Sequence, residues 1–186
     1  RHFLQAIGRQ RSKFRFIGRF FNTNRHKTSL DLQPVVTACR EMGAQKTGAL
    51  IIIKQSNDLS VIEESGIAID AKVSTALLEN IFFKNAPLHD GAVIISGDRV
   101  IAAKCVLPVT QQDVPKSYGM RHRAALGMSE VSDAIIIAVS EETGGISIAH
   151  DSTIRRDIEP AHLAQAIHKS LRVNDERRAE ATQQPA

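Results

Sequence analysis

At 186 residues, with 42% apolar and 4% aromatic residues and 24 basic against 20 acidic side chains, the sequence has room for one domain with a substantial core. No stretch reaches the roughly 18 consecutive apolar residues of a membrane helix, and no signal-peptide layout opens it, so the residues given are expected neither to span a membrane nor to direct export. The net charge of +4 is unevenly spread: eight basic residues and no acidic one lie in residues 1–27, which leaves the remainder at −4 and argues against nucleic acid as the partner of the body.

Residues 1–27 form a basic amphipathic arm in which Phe3, Leu4, Ile7, Phe14, Phe16, Ile17, Phe20 and Phe21 alternate with cations. Such a segment suits either an anionic membrane surface or packing on the domain that follows. That domain is expected over residues 28–173. Its first helix reads from Thr28 to Met42, with Pro34 near the first turn and Gly43 as cap. Thr47 to Ile53 is an uninterrupted apolar run, the mark of a strand buried on both faces. Gly43 to Gly48 resembles a phosphate loop only superficially, because Ala49-Leu50 stands where Lys and Ser or Thr are needed.

Asp58 to Asp70 is turn-rich and ends in a short edge strand. Ser74 caps a helix carrying Leu77, Leu78, Ile81 and Phe82, which Asn85-Ala86-Pro87 stops. Ala92–Ile95 and Val100–Val106 read as a hairpin around Ser96-Gly97-Asp98-Arg99. A polar loop from Thr110 to Tyr118 leads into a helix starting near Gly119. Ala134–Val139 and Ile146–Ala149 are two more strands joined by a Gly144-Gly145 turn, and Pro160 starts an amphipathic helix through Leu171. Residues 174–186 read as a disordered tail. Cys39 and Cys105, without metal-ligand spacing, read as core thiols.

The candidate chemistry sits in three places. His89-Asp90-Gly91-Ala92 puts an imidazole and a carboxylate at the mouth of a buried strand. Asp90 can bind Mg²⁺ or Mn²⁺, an adjacent imidazole favours Mn²⁺, and the bland reading is an Asp-Gly turn. Arg121 and Arg123 can fork onto phosphate if a turn aims both forward, whereas a regular helix makes them diverge by about 200° so that one serves. Glu142, in Ser140-Glu141-Glu142-Thr143-Gly144-Gly145, is a candidate carboxylate for a metal site.

Taken together and in this order, His89-Asp90-Gly91-Ala92, Arg121-His122-Arg123 and Ser140 to Gly145 resemble the diadenylate cyclase domain, whose signatures are Asp-Gly-Ala and Arg-His-Arg. Glu64-Ser65-Gly66-Ile67, Ala71-Lys72-Val73-Ser74 and Asn80-Ile81-Phe82 are similar too. The resemblance covers about residues 28 to 171 and is strongest to the membrane-tethered bacterial subclass. Met120 departs from it, since related domains often place Thr there.

The resemblance implies an α/β fold with a mixed central sheet flanked by helices. It also implies the condensation of two ATP molecules, one per domain of a face-to-face homodimer or higher homo-oligomer, into cyclic di-AMP and pyrophosphate. Carried onto this sequence, Asp90 binds metal and activates the 3′-hydroxyl, and His89 is a second metal ligand for Mn²⁺, Mg²⁺ or Co²⁺. Gly91, Ala92, Leu107, Pro108, Met120, His122, Ser140 and Glu142 contact substrate or metal, with His122 expected to position its turn, and Arg121 and Arg123 hold phosphate. The subclass further implies a cytoplasmic catalytic domain on a membrane-anchored parent, residues 1–27 being the juxtamembrane connection. A membrane regulator and a phosphoglucosamine mutase are its implied partners. The competing readings are a nucleotide sensor, which needs the arginines but not Asp90, and a membrane-surface adaptor built on the arm.

Overall fold

The computed structural model describes residues 30–183, so the basic arm of residues 1–27 lies outside the described residues. The strands are β1 (Ala49–Ile53), β2 (Ile67–Lys72), β3 (Ala92–Ser96), β4 (Arg99–Cys105), β5 (Ile135–Val139), β6 (Ile146–His150) and β7 (Thr153–Arg155). They form one sheet in the order β2-β4-β3-β1-β5-β6-β7. β1 and β3 run parallel, and the other neighbouring strands are antiparallel. Around the sheet lie α1 (Gln33–Ala44), α2 (Ser60–Glu64), α3 (Thr75–Phe82), α4 (Met120–Val131) and α5 (Pro160–Gln183). This is the mixed, helix-flanked sheet that the sequence predicts.

The unbroken apolar run of β1 has a direct cause: both faces of the sheet are covered. Ile51 and Ile53 pack into a core completed by α1, α3 and α5, while Leu50 and Ile52 face the opposite way, towards Leu59 and Ile62 on the α2 side and Ala125 and Met128 of α4. A strand exposed on one face would alternate. With roughly 1.5–3 kcal/mol gained per fully buried aliphatic side chain, β1 belongs in the interior of the sheet rather than at an edge. α3 begins where its cap predicts, Ser74 Oγ accepting from the Leu77 N–H at 3.2 Å.

Three local expectations change. α1 runs through Gly43 to Ala44, and the left-handed residue after it is Lys46, at φ 51°. α2 and β7 have no counterpart in the sequence reading, because five residues with one buried side chain and three largely exposed residues are too short to show a period. The expected disordered tail is helical as far as Gln183. Asn174 is buried and anchors this extension, its Nδ2 donating to the Asp133 carbonyl at 2.9 Å and its Oδ1 meeting His150 Nε2 at 2.8 Å.

The topology concentrates the connections. Pairing of Ala49 with Val139, Ile51 with Val93, Ala92 with Cys105 and Val139 with Ile146 puts the starts of β1, β3 and β6 at the same end of the sheet as the ends of β4 and β5. All three motifs emerge at that end.

Candidate active site

A cavity of about 570 Å³ opens at this end of the sheet. One wall is the α1–β1 turn, Gln45 to Gly48, and another is the segment after α3, with Lys84, Asn85 and His89. Arg121 of α4 and Glu141 of the β5–β6 turn close it. Lys46, Lys84 and Arg121 make it a cationic pocket suited to a polyphosphate.

Arg121 is the best-defined group. It stands in the first turn of α4, whose Gly119 N-cap offers no side-chain acceptor and which carries no acidic residue in that turn. Free backbone N–H groups and two arginines at the positive end of a helix are unfavourable until an anion arrives. In this structure the anion is a carboxylate, Arg121 Nη1 lying 2.9 Å from Glu141 Oε2. The guanidinium crosses directly over Gly48, where an added Cβ would lie 2.6 Å from Arg121 Cζ. Glycine at 48 therefore makes room for the arginine. Arg123, two residues further round the regular helix, is exposed and outside the cavity wall, so the helical geometry leaves one arginine serving this pocket.

His89 lines the cavity with its Nδ1 held 2.6 Å from the Ala86 carbonyl. Because a carbonyl only accepts, the neutral ring carries its proton on Nδ1 and presents the Nε2 lone pair, the arrangement of a histidine prepared to ligate metal. Asp90 is exposed and not part of the cavity wall. Gly91 follows at φ 138°, a conformation side-chain-bearing residues rarely take, and its Cα faces the backbone of Lys104, 2.7–2.8 Å from where a Cβ would stand. The close approach coincides with an irregular register between β3 and β4.

The remaining expected residues divide. Ala92 is buried in the core, so only its backbone can face a ligand; Leu107 is nearly buried, Pro108 half-buried and Met120 exposed. Ser140 Oγ accepts from the N–H groups of Glu142 and Thr143, so the hydroxyl braces the turn. His122 does not face the cavity: it is buried, with Nε2 3.2 Å from Ser147 Oγ. Burial, then the charge of Arg156, lowers its pKa, and its ring packs inside the domain rather than on the cavity wall. Glu142, expected at the metal, is exposed, and its neighbour Glu141 is the carboxylate that reaches Arg121. Among the described residues no three His, Cys, Asp or Glu side chains cluster closely enough to hold a metal by themselves. His89 and Asp90, neighbours in sequence, carry the donor types that a divalent ion takes, one on the cavity wall and the other exposed outside it.

Sequence reasoning set Gln45 to Gly48 aside as part of a false phosphate loop and did not single out Lys84, Asn85 or Glu141. Two of these cavity-wall residues, Lys46 and Asn85, take positive φ (51° and 67°), a conformation that clusters at functional sites but belongs to the fold and not to the residue pattern.

A family model described as DisA bacterial checkpoint controller nucleotide-binding, the DAC domain, matches residues 36–154. The chain belongs to this family. The cyclic di-AMP synthase CdaA of Bacillus subtilis is 36% identical over 94% of this chain and 63% of its own length. A diadenylate cyclase of Listeria monocytogenes is 38% identical over 92% and 62%. The chain thus spans somewhat under two thirds of these relatives. The crystal structure of DacA from Staphylococcus aureus, in a double-mutant form, superposes with a TM-score of 0.73 at 43% identity, covering 75% of this chain and 93% of that one. A hypothetical membrane spanning protein from Bacillus cereus gives 0.65 at 38% identity, covering 68% and 62%. The segments of the DAC domain that form the cavity all fall inside the matched residues, whereas α5 lies beyond them. No described helix is long and apolar enough to cross a membrane.

Proposed function

We propose that this DAC domain is a diadenylate cyclase that condenses two ATP into cyclic di-AMP, releasing two pyrophosphates. The observation that carries the reading is Arg121: it sits at the uncapped start of α4, in a cavity with Lys46 and Lys84, in a chain of this family. Three cations beside open backbone donors offset most of the charge of a triphosphate once Glu141 gives way.

In each condensation the 3′-oxygen of one nucleotide bonds to the α-phosphorus of the other, and the bond from that phosphorus to the bridging oxygen breaks as pyrophosphate leaves. The 3′-hydroxyl proton passes to Asp90, whose exposed position outside the cavity wall leaves it open to a nucleotide held by a second chain. Two chains facing each other supply both halves, and Arg123, also turned out of the cavity, belongs to the same shared space. His89 Nε2 and Asp90 would hold a divalent ion, Mn²⁺, Mg²⁺ or Co²⁺, which supplies charge neutralisation at the phosphates. Glu141 must yield Arg121 when phosphate enters. The membrane-anchored parent and the homodimer are parts of the same proposal; the likeness to CdaA and to the membrane spanning protein supports the first of them.

The test is Asp90→Asn, with ATP binding and product formation measured on one preparation. The variant is expected to bind ATP within a few-fold of the native chain and to form no cyclic di-AMP. Retained turnover would remove Asp90 from the chemistry.

A further inference from the structure

Arg156 lies two residues past the family match, outside all three sequence motifs. Its Nε is buried and has no hydrogen-bond partner among the described residues, an arrangement that costs desolvation. What the side chain gains is a cation–π contact, its guanidinium carbon lying over the Tyr118 ring 4.9 Å from its centre, and Nη1 donates to Ser117 Oγ at 3.1 Å. Tyr118 in turn packs on the buried His122 ring, centroids 5.8 Å apart and tilted by 46°. His122 is the residue after Arg121.

The same short segment also reaches the β5–β6 turn. Asp157, at φ 55°, sets its carboxylate where a Cβ on Gly145 would stand, 2.7 Å from Oδ1, and the Ile158 N–H donates to the Ile146 carbonyl at 2.8 Å. Residues 156–158 thereby join the loop entering α4 to the turn carrying Glu141.

We propose that Arg156, acting through Tyr118 and His122, is a positioning residue that fixes the first turn of α4 and with it the direction of Arg121. The assignment rests on the nucleotide-binding reading of the cavity. The Tyr118 ring thus contacts both the Arg156 guanidinium and the buried His122 imidazole, and displacing that ring would loosen the turn. Lysine can supply the charge but not a guanidinium that faces the ring and donates to Ser117 at once.

The experiment is ATP titration by calorimetry, in parallel with the His122 ring signals by NMR and thermal melting, on the full chain. Arg156→Ala and Tyr118→Ala are each expected to weaken ATP binding about tenfold and to move the His122 ring signals, while Tyr118→Phe stays within about twofold. In an Arg121→Ala background neither substitution adds further loss, because both act through that side chain. Should Arg156→Ala not fold, Arg156→Lys decides, with an expected loss of about threefold. ATP binding within twofold of native in both alanine variants, unchanged His122 signals, or losses that add in full to that of Arg121→Ala overturn the assignment. A native chain that binds ATP and shows these effects but makes no cyclic product removes the cyclase reading and leaves this one standing; one that does not bind ATP takes both down.

Discussion

A single methyl group at position 48 should separate folding from function. The Cβ of Gly48→Ala would lie 2.6 Å from Arg121 Cζ, 2.7 Å from Nη1 and 2.9 Å from Nε, where carbon contacts normally settle at about 3.5–4.0 Å. The guanidinium must therefore retreat by about 1 Å, and it can, being the end of a flexible side chain. Stability should hardly notice. The Arg121–Glu141 pair that is disturbed is partly solvated, with 63% of the Glu141 side chain exposed, and is worth at most about 1 kcal/mol. Gly48 is outside the left-handed region, so alanine returns roughly 0.4–1 kcal/mol by restricting the unfolded chain. A 1 Å misplacement of a phosphate-positioning group, by contrast, costs on the order of 10²-fold in rate. Thermal melting should thus place Gly48→Ala within a few degrees of native, while steady-state formation of cyclic di-AMP falls about a hundredfold. Native turnover in this variant, or a loss that merely follows a lowered melting temperature, would refute the steric reasoning.

Gly91→Ala is the contrasting case: there the added Cβ meets Lys104 backbone at 2.7 Å and φ is 138°, so a destabilisation of at least about 2 kcal/mol is expected in chemical denaturation. Glu141→Gln removes the carboxylate that phosphate must displace from Arg121, and ATP affinity by titration should rise, by up to about fivefold, whereas Glu142→Gln should not raise it. His122, its pKa lowered chiefly by burial, is protonated more readily in the unfolded chain. Stability is accordingly full above about pH 6.5, the unfolded value, and declines as pH falls below it; in His122→Asn, melting temperatures between pH 7 and 5 should lose that component. Burial pushes the thiols of Cys39 and Cys105 up to about 12 and about 11, so neither should react with a thiol reagent at neutral pH until the chain unfolds.

Much of the fold was legible because the sheet is covered on both sides: Ala49–Ile53 and Ala134–Val139 are continuous apolar runs, and the Gly97-Asp98 turn marks its hairpin without ambiguity. Nothing in those runs says that β1 sits between β3 and β5, parallel to one and antiparallel to the other, since that is decided by where the connecting helices pack. The α5 extension escapes the sequence for a similar reason. A polar, charged segment reads as a tail until a single buried residue, Asn174, finds partners on β6 and at Asp133.

The site divides along the same line. Asp90, His89 and Arg121 are recognisable as motif residues, whereas the cavity wall from Gln45 to Gly48 lacks a phosphate-loop pattern and lines the pocket through the fold instead. Glu141 and Glu142 are indistinguishable by type. Only the turn braced by Ser140 determines which one faces Arg121.

The most direct test of the central claim is product formation as a function of protein concentration. The purified chain is incubated with ATP and Mn²⁺ or Mg²⁺, and nucleotides are resolved by chromatography and mass. The account predicts cyclic di-AMP and pyrophosphate, with a rate per chain that rises with concentration as two sites meet. A rate per chain independent of concentration down to dilutions where the protein is monomeric, or a product other than cyclic di-AMP, would contradict it.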